Sequence, residues 1–341
     1  MTLIWYSAAM LWKHYVKTLV FLITAMVLNF LAWRFVYRRS PRPGATIPIS
    51  VNYHLTRQCN KTCGFCFHTA TTSFRLPEDQ AYRGLALLSA AGMRKINFAG
   101  GEPFMYKKFL GTMIAFCKEQ LHLESVSIVT NGSLVDDAFL RTYGRHIDIL
   151  AVSCDSFDEQ TNIAIGRGSG NQVKKLFEIA DLCRKYNIKF KLNTVVCRLN
   201  YKEDMNATVE QLRPFRWKCF QVLLVAGEND SDRTLRDVRK YQISDEEYEL
   251  FCRRHRHQKS FVAEPNTLMA KSYLILDEYM RFLDREGRAP SSSILDTGVY
   301  EALDQVYWDA ESFARRGGIY DWAKEENAAG CGGGDESKLQ W

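Results

Sequence analysis

The chain has 341 residues, of which 46% are hydrophobic and 25% charged, a composition typical of a globular protein and unlike that of a disordered or collagenous chain. Its length suits about two domains, or one α/β barrel. The net charge of +6 comes entirely from the first 45 residues, which hold six lysines and arginines and no acid. Because the rest of the chain is electrically balanced, no basic domain for duplex nucleic acid remains.

The first predicted element is a membrane anchor within residues 1–45. Thr18 to Trp33 is uncharged, but it is shorter than the roughly 20 apolar residues that span a bilayer. The aromatic and arginine flanks suit the headgroup layer, so the segment either spans the membrane or lies in its interface. A cleaved signal peptide and a buried helix are the alternatives. Ser40 to Gly44, with two prolines, is predicted to be a linker.

Residues 46–240 are predicted to alternate between strands and helices. The predicted strands are Ile47–Leu55, Lys95–Ala99, Ser125–Thr130, Asp148–Ser153, Ile188–Val195 and Trp217–Val225. The predicted helices are Glu78–Ala91, Lys107–Gln120, Val135–Tyr143, Gln172–Tyr186 and Asp204–Leu212. This alternation indicates parallel βαβ units. Six units are too few for a closed eight-stranded barrel, so the predicted fold class is α/β with a partial (βα)6 TIM-like barrel, whose chemistry belongs at the carboxyl ends of the strands.

Residues 241–341 are interpreted as a C-terminal extension. Helices are expected at Ser244–Arg254 and Lys271–Leu283, followed by a glycine-rich tail.

Three of the ten cysteines fall on the loop after the first predicted strand. Cys59, Cys63 and Cys66 have the spacing C-x-x-x-C-x-x-C, whereas the other seven are scattered. A reducing compartment and a thiolate-ligated metal fit this pattern better than disulfides do. Two metals remain open at this point. Zinc could use the three cysteines with His68, and an iron–sulfur cube could use the three thiolates and leave its fourth iron open.

The cysteine motif has Phe65 before its last cysteine, and "GGEP" (Gly100 to Pro103) follows the second strand. Together they resemble the radical S-adenosylmethionine (SAM) superfamily. Longer segments, among them "SVNYHLTRQCNKTCGFCFHTA", "KINFAGGEPF" and "SYLILDEYMRFLD", resemble the viperin family over roughly residues 50 to 341. That family consists of membrane-attached antiviral enzymes that dehydrate CTP to 3′-deoxy-3′,4′-didehydro-CTP.

The resemblance implies a 4Fe–4S cluster on Cys59, Cys63 and Cys66, whose open iron binds SAM and drives its cleavage to a 5′-deoxyadenosyl radical. The residues expected to hold SAM are Gly100, Gly101, Glu102, Asn131, Ser153 and Arg167. Glycines let the backbone approach the methionine end, and Glu102 is expected to accept from its ammonium.

A nucleoside triphosphate is the implied substrate, with the C-terminal extension closing its site. The side chains expected to bind it are Lys95, Lys191, Asn193, Arg216 and Lys218. Cations that recur at every second strand residue are costly to bury without an anion. The alternative is that they face solvent at the bottom of the barrel, above all Arg216, which lies nearest a strand start.

Tyr273 matches the residue proposed in the family to complete the product, although its position also predicts an aromatic packing on a helix face. His54 and His68 are expected to have supporting roles. The chain departs from the family pattern at two places. It has Ala99 where a serine is usual, and it lacks a C-terminal lysine that the family offers to the nucleotide, with only Arg288 nearby.

The remaining expected partners are an electron donor, the cytosolic iron–sulfur assembly machinery through Trp341, and a membrane surface. The expected location is the cytosolic face of the endoplasmic reticulum or of lipid droplets. Two alternatives stay open: a radical SAM enzyme acting on another nucleotide, a peptide or a small metabolite, and a membrane-bound scaffold with a zinc clip.

Overall fold

The computed structural model describes residues 12, 15–24, 26–27, 47–269, 271–284, 289–315 and 317–324. Within them, eight parallel strands form one sheet in the order β7-β6-β5-β4-β3-β2-β1-β8. The strands are β1 (Ser50–His54), β2 (Lys95–Ala99), β3 (Ser125–Thr130), β4 (Ile149–Ser153), β5 (Lys189–Val196), β6 (Arg216–Gln221), β7 (Phe261–Glu264) and β8 (Ile275–Leu276).

Helices connect these strands and cover the outside of the sheet. They are α1 (Glu78–Ala90), α2 (Lys107–Glu119), α3 (Asp137–Tyr143), α4 (Glu159–Ile165), α5 (Gln172–Lys185), α6 (Asn206–Leu212), α7 (Asp245–His255), α8 (Asn266–Met269), α9 (Ile294–Thr297), α10 (Val299–Leu303) and α11 (Ala310–Arg315). Short 3-10 turns occur at Pro103–Tyr106, Gly144–His146 and Val238–Tyr241. The predicted α/β partial barrel is confirmed, and the sheet gains an extra strand at each edge.

The side chains of the strands alternate between two environments. Val51 and Tyr53 of β1 are fully buried in the apolar core beneath the helices, whereas Asn52 and His54 line a cavity on the inner face. The same period of two holds in β5, where Leu192 lies in the core between cavity-lining neighbours. The sheet therefore has an apolar outer face and a polar inner face, and the polar face forms the site.

The predicted helix at Lys271–Leu283 is wrong. This segment contains β8, which pairs with β1, and then reverses direction so that Leu276 forms an antiparallel bridge with Phe282. The carboxylate of Asp277 makes the reversal, because its Oδ1 accepts from the backbone N–H groups of Tyr279 and Arg281, both at 2.9 Å. The apolar spacing predicted a helix, but the side chain of Asp277 competes for the backbone donors that a helix would use.

The N-terminal anchor lies mostly outside the described residues. Residues 15–24 are helical and exposed. Within the part of the chain that the structure describes, no helix combines the length and hydropathy that crossing a bilayer requires. The predicted linker, Arg288 and Trp341 also lie outside the described residues.

Candidate active site

The loop that carries the three cysteines is fixed by the end of α4, a helix that the sequence pattern did not predict. The N–H of Thr62 donates to the carbonyl of Gly166 at 3.1 Å, and the N–H of Gly64 donates to that of Ile165 at 2.9 Å. Gly166 has φ +83°, and a Cβ there would lie 2.6 Å from the Thr62 oxygen, so only glycine fits. These two hydrogen bonds and the close approach of Gly166 therefore fix the position of the cysteine loop.

All three cysteines line the same cavity at the carboxyl ends of the strands. Burial raises the pKa of the Cys63 thiol to about 12 and also raises the pKa of Cys59 and Cys66. The amide Nδ2 of Asn131 lies 3.9 Å from the sulfur of Cys59. One of the three thiols, Cys63, is buried and the other two are partly buried. A metal that replaces their protons would turn them into thiolates, which is the donor set that an iron–sulfur cluster needs.

The geometry favours the cluster over the zinc alternative. Among the described residues, no group of three metal-ligating side chains converges on a single ion. A cube takes one thiolate on each of three irons, so its cysteines need not converge. His68, the fourth ligand in the zinc hypothesis, instead packs edge-on against His54 with the ring centroids 4.3 Å apart, and its Nε2 lies 3.8 Å from Glu278.

The glycine loop after β2 lies directly against the cysteine loop. The N–H of Gly101 donates to the carbonyl of Thr56 at 2.7 Å, and the next N–H donates to that of Gln58 at 2.8 Å. A Cβ on Gly101 would overlap the Gln58 carbonyl. Gly100 and Gly101 both line the cavity. The glycines are thus required for the two loops to approach each other, and this contact exposes their backbone to the bound cofactor.

Glu102 does not line the cavity, in contrast to the sequence-based expectation. Its side chain is fully buried and accepts from Thr130 Oγ1 at 2.7 Å, Asn131 N at 2.7 Å and Phe104 N at 3.1 Å. Both carboxylate oxygens of Glu102 therefore accept hydrogen bonds from inside the protein, and one of these bonds fixes the backbone of Asn131. Burial raises the pKa of Glu102, while these hydrogen bonds oppose that increase.

Ser153, Asn131 and Arg167 line the cavity as predicted. The amide of Gln172 ties two of their loops together, because its Nε2 donates to the carbonyls of Asn131 and Ser153 at 2.9 and 3.1 Å. Arg167 Nε donates to buried Asp155 at 2.7 Å. Burial would lower the pKa of Arg167, but Asp155 and the cysteines raise it. Sequence reasoning missed Asp155. The only signal was its position in "SCDS", directly after the fourth predicted strand, and that position alone did not distinguish it from its neighbours.

Lysines line the opposite end of the same cavity. Lys95 Nζ donates to Ser125 and Ser127 at 2.9 and 2.6 Å, and Lys191 has no hydrogen-bond or ion-pair partner among the described residues. Burial lowers the pKa of Lys95 to about 7, with a further decrease from Lys218. Burial and the neighbouring cations lower the pKa of Lys191 as well. Asn193, on the same face of β5, has an unpartnered Oδ1.

Arg216 neither faces solvent nor lines the cavity. Its side chain is 9% exposed, and its guanidinium lies 4.3 Å from the ring centroid of Tyr320. Nε and Nη2 of Arg216 have no hydrogen-bond partner in the part of the chain that the structure describes. The predicted phosphate-binding residues are therefore brought together, but Arg216 lies behind an aromatic ring that comes from the C-terminal segment.

Tyr273 lines the cavity from the loop before β8, not from the predicted helix. Its hydroxyl accepts from Lys218 Nζ at 2.9 Å and donates to Glu264 Oε1 at 3.2 Å. Lys218 is also ion-paired with Glu264. Sequence reasoning missed Glu264, because it ends a four-residue strand with little apolar pattern.

A parallel partial barrel whose strand ends carry three cysteines and a glycine loop defines a radical SAM enzyme. The radical SAM superfamily model matches residues 53–212. The structure of Streptococcus suis SuiB bound to SAM shares the fold with TM-score 0.60 at 15% identity, covering 79% of this chain and 68% of that one. The enzyme anSMEcpe with bound AdoMet gives 0.57 at 13% identity, covering 75% and 77%.

Proteins of similar sequence assign the chain to one family within this superfamily. The chain is 52% identical to the S-adenosylmethionine-dependent nucleotide dehydratase RSAD2 of Oncorhynchus mykiss, over 82% of each chain. It is 51% identical to the RSAD2 of Danio rerio, over 89% of this chain and 84% of that one. A dehydratase of Flammeovirga pacifica is 32% identical over 82% and 98%. The chain belongs to the RSAD2, or viperin, family, whose cofactors are a 4Fe–4S cluster and SAM.

Proposed function

We propose that this protein dehydrates CTP to 3′-deoxy-3′,4′-didehydro-CTP. The observation that carries the proposal is one continuous cavity with two chemically different ends. Three thiols and the glycine loop lie at the end where the cluster and SAM bind. Lysines lie at the other end, where a polyphosphate would place the ribose of a nucleotide between them and the cofactor. The names of the relatives, nucleotide dehydratases, support the same reaction class.

The charge of the lysine end supports a highly anionic substrate. Lys95, Lys191 and Lys218 line it, and Glu264 is ion-paired with the last of them. Burial and the neighbouring cations lower the pKa of both Lys95 and Lys191, so their charged forms need an anion nearby. A triphosphate restores both charges by supplying the missing counter-charge, which makes phosphate binding and lysine protonation mutually reinforcing.

When bound, the cluster and SAM supply the abstraction of a hydrogen atom, which we assign to the 4′ carbon of the ribose. The chain then has three tasks. Arg167, held by Asp155, and the loops of Asn131 and Ser153 orient SAM. The lysines fix the triphosphate and thereby the distance of the ribose from SAM. The 3′ hydroxyl takes up one proton and leaves as water, and Tyr273 supplies the electron that converts the remaining sugar radical into the 3′,4′ double bond.

Lys218 and Glu264 both contact the phenol of Tyr273 and set its orientation. They are positioning residues in this proposal. The carboxylate of Glu264 can accept the phenolic proton as Tyr273 gives up its electron, and the proton that the ring loses balances the one that leaves with the 3′ hydroxyl.

The test is anaerobic reconstitution with iron and sulfide, followed by measurement of SAM cleavage with CTP, UTP, GTP or ATP present. We expect cleavage to rise with CTP, with a dehydrated nucleotide as the product. The matched control is Cys63→Ala, which should cleave no SAM. Cleavage that responds to no nucleotide, or responds only to a peptide or another metabolite, would contradict the proposal.

We also propose that the chain is attached to the cytosolic face of the endoplasmic reticulum or of lipid droplets. The six cations and the apolar run of the first 45 residues support this location. A fluorescent protein fused after residue 45 should bind those membranes, and the same fusion with Arg38, Arg39 and Arg42 replaced by serine should bind less. A fusion that stays diffuse would rule the location out.

We propose further that Trp341 is the contact for the cytosolic iron–sulfur assembly machinery. Deleting Trp341 should lower the iron content of protein isolated from cells, whereas reconstitution in vitro should still load the cluster. Equal iron content in the two proteins isolated from cells would contradict this role.

A further inference from the structure

Residues 318–324, which we call the C-terminal plug, close the end of the barrel where the strands begin. The carbonyl of Trp322 accepts from Ser125 Oγ at 2.9 Å, and Asp321 Oδ2 accepts from Lys189 Nζ at 2.7 Å. The N–H of Lys324 donates to buried Asp148 at 3.1 Å. Trp322 is 3% exposed, so the plug is packed into the barrel and is not a loose tail.

Tyr320 is the residue of the plug that faces both the cavity and its cations. Its ring lines the cavity, and the ring centroid lies 4.3 Å from the Arg216 guanidinium and 5.7 Å from Lys95 Nζ. An aromatic face stabilises a cation at these distances, most strongly where water is excluded. Arg216 is nine-tenths buried, and two of its nitrogens have no hydrogen-bond partner among the described residues. The ring therefore lies between the cavity and a buried cation whose hydrogen bonds are incomplete.

We propose that Tyr320 is a specificity-determining residue that fixes the length of the polyphosphate the enzyme accepts. The ring forms part of the wall at this end of the cavity, with Lys95 lining the cavity beside it and Arg216 directly behind it, so the terminal phosphate of a triphosphate comes close to both charges and a diphosphate stops short. The inference rests on the proposed function, since it assigns a phosphate chain to the lysine end.

The cause of the selectivity is local desolvation. A wall that excludes water strengthens the attraction between the terminal phosphate and the cations around it. Loss of the ring admits water and frees Arg216 from its fixed position, so it weakens the contact that only the third phosphate makes. Lys218 lies two residues further along β6 than Arg216, so its contact with the phosphate chain should persist.

The test uses the full chain without SAM and compares the binding of inorganic tripolyphosphate and pyrophosphate by titration calorimetry, with CTP and CDP as a second pair. The variants are Tyr320→Leu, which removes the aromatic face, and Tyr320→Phe, which keeps it. We expect the ratio of tripolyphosphate affinity to pyrophosphate affinity to be about tenfold smaller in the leucine variant than in the wild type. The phenylalanine variant should stay within about twofold of the wild type, since the aromatic face and not the hydroxyl makes the contact.

Thermal unfolding of both variants checks that the plug remains folded, and Tyr320→Met replaces the leucine variant if that one does not fold. Equal weakening for both probes, or an unchanged preference, overturns the role of Tyr320 while leaving the proposed function intact. A wild-type protein that binds neither tripolyphosphate nor CTP overturns the proposed function and this inference with it.

Discussion

Replacing Lys191 by methionine should weaken nucleotide binding and at the same time stabilise the protein that holds no nucleotide. The side chain lies inside the barrel on β5, with no partner among the described residues, and burial lowers its pKa. Methionine has a similar length and no charge to desolvate. The two effects have opposite signs because the ammonium is costly until an anion pairs with it.

The magnitude of each effect follows from these contacts. A hydrogen bond to a charged group contributes about 1.5–3 kcal/mol, which corresponds to a loss of roughly 10- to 150-fold in CTP affinity. An amine without a partner costs on the order of 1 kcal/mol in the protein without nucleotide. The free energy of unfolding of the Lys191→Met variant should therefore rise by about 1 kcal/mol.

Calorimetric titration with CTP in the absence of SAM gives the affinity, and urea unfolding without nucleotide gives the stability. The matched control is Lys185→Met, because Lys185 is exposed on α5 and paired with Asp137 outside the cavity. The control should change CTP affinity by less than about twofold, as expected of a surface pair. A Lys191→Met variant that binds CTP as well as the control, or that unfolds more easily than wild type, would refute the reasoning.

After reconstitution, iron and sulfide analysis should find no cluster in Cys63→Ala. The control Cys117→Ala, which changes a cysteine of the apolar core, should bind the cluster normally. A cluster bound to Cys63→Ala would contradict the assignment. CTP affinity should be highest below about pH 7 and fall as the pH rises, because Lys95, with a pKa of about 7, must be charged to bind phosphate. Calorimetry in two buffers should therefore detect proton uptake when CTP binds. Tyr273→Phe should bind CTP within about twofold of wild type and still cleave SAM, but release little dehydrated nucleotide by mass spectrometry; normal product release would remove Tyr273 from the mechanism.

The sequence predicted the barrel and the cofactor end of the site well, because both depend on local patterns. Strand and helix periodicity placed β2 and β3 at their observed bounds, and the cysteine spacing placed the thiols on one loop. Alternation along β5 correctly put Lys191 and Asn193 on the cavity face. Each of these predictions depends only on residues close together in the sequence and on the two-residue repeat of a strand.

What the sequence could not predict depends on contacts between distant segments. The turn at Asp277 replaces a helix because one carboxylate competes for two backbone donors. Glu264 belongs to the site because β7 pairs with β6, and Tyr320 belongs to it because the chain returns to the start of the barrel. Glu102 was placed at the cofactor, but the hydrogen bonds from Thr130 and Asn131 direct it inward.

The two edge strands, β7 and β8, follow each other in the chain, yet they lie at opposite edges of the sheet. The hydrogen bond from the Tyr273 hydroxyl to Glu264 connects these edges, because Glu264 ends β7 and Tyr273 comes just before β8. The contact that orients the phenol therefore also fastens the open side of the barrel, so that replacing Glu264 would loosen that side as well as the phenol.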